Sequence, residues 1–394
     1  MTIPARVLAL ALAIACLHAA TVQAHHRQTP PLVQITTDGD NTLPRVPCKG
    51  GTLAFAAGAP GAKQLYAVKI RTPSVVTPLT STGDNDHPAI SQSGQVVAWD
   101  VAATGGGRQV AMSARGPVPI VLGESAATTA NPAVDLAGRR VVFESDGNAD
   151  GATVPGVARI FLRDNKGVVR RLSPGDGPSH NPTMGRDEQV IAFDSTSDIV
   201  TGADTGIPQV WLANARLGTL RRLTAGAGAS QFPLVGNDSR AIVFQSTAAL
   251  AGDGADTGVP QVFLYDVRTG NYAQVTNDPA GCTLPAVQLT LAVDSTAHEW
   301  RVTYTCAGVA YLYEMRSDRR WRLPVADGDV TRVVPEMDNH FLVLTTTADL
   351  LAGSGLLTGH QIFIWNVFKK PVEPVSGPAA TWFPVRGMPT APHR

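Results

Sequence analysis

Apolar residues in this chain come in short blocks of strand length. One set includes Val141–Phe143 ("VVF"), Val190–Phe193 ("VIAF") and Ala241–Phe244 ("AIVF"). After a variable polar stretch a second set follows, including Ile160–Leu162 ("IFL"), Val210–Leu212 ("VWL") and Val262–Tyr265 ("VFLY"). Blocks of this length between Gly, Asn and Asp turns read as β-strands. A run without polar alternation predicts burial on both faces.

The blocks recur at a fixed phase. A Pro followed eleven residues later by an aromatic occurs at Pro44–Phe55, Pro88–Trp99, Pro132–Phe143, Pro182–Phe193 and Pro233–Phe244, with looser copies from Pro285 and Pro335. The spacing between successive prolines is 44, 44, 50, 51, 52 and 50 residues. Each unit parses into four strands: one after the Pro, an apolar second, a third such as "QVWL" or "QVFLYDV", and a fourth such as "LRRLT". Two consecutive units share nearly the same phrase, "GADTGIPQVWL" (Gly202–Leu212) and "GADTGVPQVFL" (Gly254–Leu264). Seven four-stranded units of this period predict an all-β, seven-bladed β-propeller, in which neighbours cover the two faces that no blade can bury alone. At the ends, Leu32–Asn41 reads as a fourth strand preceding blade one, and Thr381–Val385 as an eighth first strand. One terminal strand is expected to latch onto the blade at the opposite end.

Composition narrows the function classes. Charged residues make up 16% and the net charge is zero. Without a basic face, nucleic acid and anionic membrane are excluded as partners. Residues 1–24 carry one Arg, an apolar run from Val7 to Ala15 and a small-x-small ending at Val22–Ala24, and read as a secretory signal peptide. Lipoprotein anchoring through Cys16 is the alternative. Residues 25–31 form a linker, 32–377 the propeller and 378–394 a tail with a closing strand. The expected protein is periplasmic or secreted and monomeric, with no transmembrane segment after cleavage. Cys48, Cys282 and Cys306 then remain, enough for at most one internal pair. Cys282 stands at the start of a first strand and Cys306 at the end of the second. Antiparallel pairing sets such positions side by side. The expectation is a Cys282–Cys306 disulfide with Cys48 a buried free thiol, the alternative being three small buried hydrophobes.

The pattern of Pro, strand, Gly or Asp turn, "VVF", loop, "QVFLYD", turn and "RRLT" resembles the TolB-type β-propeller repeat, most closely in the units from Pro132 and Pro233. The resemblance spans roughly residues 32–377. It implies a propeller without the additional α/β domain of TolB itself. The same repeat occurs in periplasmic binding and scaffold proteins, in propeller domains of oligopeptidases and in some polysaccharide lyases, so it implies a fold more than a function.

Motifs for serine hydrolases, zinc proteases and phosphate loops are absent. The residue before each repeat Pro is more informative: Leu43, His87, Asn131, Asn181, Phe232, Leu284 and Val334 in ring order. If first strands line the channel, these form one tier, polar on one side and apolar on the other. Asp86, His87, Asn131, His180 and Asn181 are therefore the candidate ligand-binding residues. Lyases of the resembling family bind a metal through histidines near the channel, which makes His87 and His180, with Asp84 and Asp86 nearby, a candidate divalent-metal set. Asp146, Asn148 and Asp150 in "DGNADG" are a weaker candidate, lacking the Glu of a complete calcium loop. The alternatives are strand-start residues that satisfy backbone groups, and a solvated turn. The "RRL" strings at Arg170–Leu172 and Arg221–Leu223 read as charges that guard outer edges. The leading expectation is an exported, non-enzymatic propeller that binds a partner protein or glycan at its loop face or channel mouth and needs no cofactor. The rival is a polysaccharide lyase-like enzyme acting in the channel.

Overall fold

Four-stranded antiparallel sheets follow one another seven times along the chain, one per sequence repeat. The computed structural model describes residues 32–37, 41–45, 51–91, 93–114, 119–122, 127–147, 156–173, 175–185, 189–198, 201–250, 258–291, 298–323, 330–335, 341–351, 356–366, 373–375 and 381–384. The sheets form a seven-bladed β-propeller, each running from an inner first strand to an outer fourth. In blade four, for example, these strands are Ser179–Met184, Val190–Ser197, Asp204–Asn214 and Thr219–Arg222. Among the described residues, no helix is long and apolar enough to cross a membrane.

The recurring aromatic of the second strand packs between sheets. Phe55, Phe143, Phe193 and Phe244 are all buried. Directly across, in the third strand, stand Tyr66, Phe161, Trp211 and Phe263. Three of these pairs stack, with ring centroids 5.6 Å (Phe55–Tyr66), 6.0 Å (Phe143–Phe161) and 5.8 Å (Phe244–Phe263) apart. Buried clusters straddle blade boundaries. Val142, Ile160 and Leu162 of blade three meet Ile191, Phe193 and Trp211 of blade four. Leu53, Phe55 and Val68 of blade one meet Val343, Ile362 and Ile364 of blade seven, which closes the ring. The core is thus a chain of inter-blade layers, which is why the pattern must recur.

The twice-written phrase has a local cause. Its Gln lies in the third strand, inside it in blade four and at its start in blade five, and ties that strand to the crossover leaving the blade. Gln209 Nε2 donates to the carbonyls of Gly226 and Gly228 (3.3 and 3.1 Å), and its Oε1 accepts from Thr224 Oγ1 (2.7 Å). Gln261 repeats the arrangement with Asp278 and Thr276. Those threonines are the "T" of the fourth-strand signature, and each also accepts a backbone N–H, from Val210 or Val262. Trp211 Nε1 is buried with no acceptor among the described residues, so Phe at the equivalent position 263 forfeits no hydrogen bond. The outer "RRL" arginines also reach across blades: Arg170 donates to the Ala215 carbonyl (2.6 Å) and Arg221 lies 5.2 Å over the Tyr265 ring.

The ends depart from the expected parse at one strand. Leu32–Gln34 supplies the missing fourth strand of blade seven, pairing with Leu356–Asn366. Thr381–Pro384 is not an eighth first strand; it lies on the outer edge of blade five, against Asn271–Gln274. Glu373–Val375 does the same on blade six, against Arg319–Arg322. Two strands that follow blade seven in sequence thus each add a fifth strand to an earlier blade. The reason is physical: an eighth inner strand would have no second strand to pair with, whereas the outer edges offer unpaired backbone. Residues 1–24, expected to be a signal peptide, lie outside the described residues, as do Cys48, Asn148 and Asp150.

In blade six, Cys282 opposes Cys306 and is joined to it by a disulfide, with Cα atoms 4.2 Å apart. Closing 24 residues of chain should stabilise by about 3 kcal/mol. Replacing both cysteines by serine is expected to lower the unfolding free energy by about that amount, and non-reducing peptide maps should show one linked pair. Phe143→Ala, Phe193→Ala and Phe244→Ala should each cost about 3–5 kcal/mol in denaturant unfolding, because each ring fills an inter-blade layer. A loss below about 1 kcal/mol would contradict that packing.

Candidate functional site

The pairing of first and second strands breaks at the same point in blades two to six. In blade four, His180 pairs with Asp194 and Thr183 with Ala192, so Asn181 and Pro182 together oppose Phe193. This is a β-bulge, two residues against one. It recurs at His87–Pro88, Asn131–Pro132, Phe232–Pro233 and Leu284–Pro285. The eleven-residue interval from Pro to aromatic is therefore a cross-strand contact. Proline suits the second bulge position, where the ladder needs no donor. The first residue of each bulge is left-handed, with φ of 46° (His87), 49° (Asn131), 55° (Asn181), 53° (Phe232) and 54° (Leu284). For a residue other than Gly this costs about 1–2 kcal/mol.

Second-strand residues immediately after the aromatic offset that cost. Glu144 Oε1 of blade three accepts the backbone N–H of Asn181 in blade four (2.7 Å). Asp194 of blade four accepts that of Phe232 in blade five (3.0 Å), and Gln245 of blade five that of Leu284 in blade six (3.3 Å). Blade one has Ala56 at this position, and His87 N–H turns to Asp86 instead (2.9 Å). The same acids orient the tier side chains. Asn131 Nδ2 donates to Glu144 Oε1 and Asn181 Nδ2 to Asp194 Oδ2, both at 2.8 Å. His87 Nδ1 lies 2.9 Å from Asp100 Oδ2, and His180 Nδ1 lies 3.0 Å from Glu144 Oε2.

The bulge residues line a cavity of about 220 Å³ together with Pro182, Thr183, Pro233, Leu234, Pro285 and Arg332. It lies at the channel mouth on the face that carries the crossovers between blades. Of the five candidate residues, His87, Asn131 and Asn181 line it. Asp86 and His180 do not: Asp86 Oδ2 is 3.2 Å from Lys63 Nζ, and His180 stands outside with its ring half exposed. The two histidines are held by different carboxylates. Among the described residues, three metal-ligand atoms converge only at Asp278, Cys282 and Cys306, whose sulfurs form the disulfide. Asp84 is engaged by Arg108 (2.8 Å). Asp146 accepts the Thr128 N–H (2.7 Å) and so anchors its turn.

Val334 is corrected by the structure. Pro335 pairs with Leu342, so in blade seven the Pro has moved along its strand and Val334 is buried. The tier member there is Arg332. Counting twelve residues back from the second-strand position of the recurring aromatic, as Asn181 precedes Phe193, would have found it before Leu344. The carboxylates were also missed, although the pairs Trp99-Asp100, Phe143-Glu144 and Phe193-Asp194 carry the signal. Phe232 and Leu284 keep 43% and 36% of their surface exposed, so the wall they form is open to a ligand.

No protein-family model matches the chain, and no curated protein matches it. Solved structures do. A study of two prolyl endopeptidases contains one with 13% identity and a TM-score of 0.56, covering 93% of this chain and 52% of that one. This chain thus spans about half the length of that enzyme. The β-propeller domain of the Trilobed protease from Pyrococcus furiosus has 9% identity and a TM-score of 0.54, covering 86% of this chain and 98% of that one. That domain is described as having an open velcro topology, whereas here Leu32–Gln34 completes blade seven. A protein of Agrobacterium tumefaciens assigned to TolB has 21% identity and a TM-score of 0.44, covering 60% of this chain and 80% of that one. The propeller fold implied by the repeat is the fold observed.

Burial pushes the Asp194 carboxyl up to about 7, against the hydrogen bonds from Asn181 and Phe232 and the charge of His180. The bond to Glu144 raises the His180 imidazole above its ordinary value. Because the Asp194 pKa is higher folded than unfolded, the native state keeps a proton that the unfolded chain releases. Its contribution to stability is full below about pH 4 and is lost as pH rises towards 7. Asp194→Asn can still accept both hydrogen bonds without titrating. Urea midpoints measured from pH 4 to 7.5 should therefore show the variant gaining on the wild type as pH rises. Parallel curves would contradict this assignment.

Proposed function

We propose that the chain is an exported, non-enzymatic binding propeller that takes a partner protein or glycan at the channel mouth. One observation carries the reading: two large apolar residues that line the cavity, Phe232 and Leu284, are held in left-handed conformations with over a third of their surface exposed. Backbone preference disfavours both residues there. With 43% and 36% of their surface left exposed, burial offsets only part of that cost. Contact with a ligand supplies a reason for them. The polar arc of Asn131 and Asn181 and the Arg332 guanidinium add convergent polar groups to that wall.

Glycine separates folding from binding here. Phe232→Gly removes the side chain and suits φ 53°, so stability should hold or rise by up to about 1 kcal/mol. Binding to a glycan array and a displayed-peptide library should fall at least about tenfold, the loss typical of a central aromatic anchor. Ligands bound equally by wild type and Phe232→Gly would overturn the reading.

A further inference from the structure

The chemistry of the polar arc narrows what the cavity takes, provided that the cavity is the binding site proposed above. Asn131 and Asn181 both line it, from adjacent blades. Each points its Nδ2 at a carboxyl group and uses one of its two N–H donors there, at 2.8 Å. Glu144 Oε1 accepts from both Asn131 Nδ2 and the Asn181 N–H, and Asp194 Oδ2 from both Asn181 Nδ2 and the Phe232 N–H. A carboxylate that already accepts two donors fixes the amide orientation, since only the NH₂ end can face it. Both Oδ1 atoms are left without a protein donor among the described residues. The arc therefore offers two neighbouring carbonyl acceptors with the Glu144 carboxylate and the Asp194 carboxyl behind them, and Asp194 adds negative potential only as pH rises through about 7.

A ligand group for this arc must be rich in donors. A sugar hydroxyl carries no charge, so it gains less than a cation from the carboxylate behind the arc. A primary ammonium only donates, has three N–H groups and carries the complementary charge. The exposed ring of Phe232 in the next blade adds an apolar contact and a π face for a cation. In a ring of seven, blade seven lies opposite the boundary between blades three and four, so Arg332 stands across the channel from the arc.

We infer that the cavity recognises a primary ammonium, held between Asn131 Oδ1 and Asn181 Oδ1, with an apolar side chain beside it on Phe232 and Leu284. That chemistry has two sources, a free α-amino acid and the N-terminus of a peptide.

Calorimetric titration of the full chain with Leu-Ala-Ala, N-acetyl-Leu-Ala-Ala and leucine tests the inference. Leu-Ala-Ala is expected to bind, and acetylation to weaken it at least about tenfold by removing charge-assisted donors. Asn131→Gly accepts φ 49° without strain and should weaken the free peptide by a similar factor while leaving the acetylated one unchanged. Leucine binding as tightly as the peptide assigns the free amino acid as source; much weaker binding assigns the peptide N-terminus. Equal affinity for both peptides, or no binding of either at 10 mM, overturns the inference. The cavity's role stands separately: it survives if library ligands still depend on Phe232, and falls with the inference if they do not.

Discussion

The structure depends on one arrangement, a bulge at the repeat proline whose strained residue is held, in blades four to six, by the second strand of the preceding blade. Each such contact does two things. It turns a first-strand side chain into the channel, and it locks neighbouring blades in register at the narrowest part of the ring. A backbone N–H donated to a carboxylate contributes about 1.5–3 kcal/mol, comparable to the cost of the left-handed conformation it supports. The strain is therefore held within the scaffold. The tier can carry chemically different side chains because its backbone is anchored independently of them: Asn181, Phe232 and Leu284 share φ values near 54° despite having little else in common.

Much of the scaffold was legible in the sequence because burial leaves a periodic trace. A second strand covered on both faces cannot alternate polar with apolar residues, so "VIAF" and "AIVF" identify themselves, and the Pro and aromatic mark the two sides of one bulge. The termini were less legible. Leu32–Gln34 and Thr381–Pro384 have strand-like composition, but their partners are chosen by ring closure and by which outer edges stand open. Neither condition is written in a local pattern. Short outer strands bury little and pair with whatever backbone the completed ring brings near.

The site was half legible for a related reason. Five tier residues precede a proline, and that proline reveals them. In blade seven the proline has shifted, and Arg332 was hidden behind Val334 until strand pairing fixed the register. The acids at 144 and 194 were visible as residues but not as partners, because they act on the next blade, 37 and 38 residues along. Long-range pairing of this kind has no local signature; only the fold brings Glu144 to Asn181.

Asparagine and the large apolar residues at the tier call for different explanations. Asn is among the non-Gly residues most tolerant of the left-handed region, so Asn131 and Asn181 satisfy the bulge by conformational preference and by their bonds to Glu144 and Asp194. Phe232 and Leu284 have neither reason. They gain no side-chain hydrogen bond, they are exposed, and glycine would serve the backbone better. Three of the proline rings that line the cavity stand beside residues 181, 232 and 284, so the apolar wall is continuous with rigid elements. A wall of that stiffness loses little entropy when it is covered. Phe232 and Leu284, which the scaffold does not need, are thus the residues that a ligand would explain, and the asparagines add the direction in which it would donate.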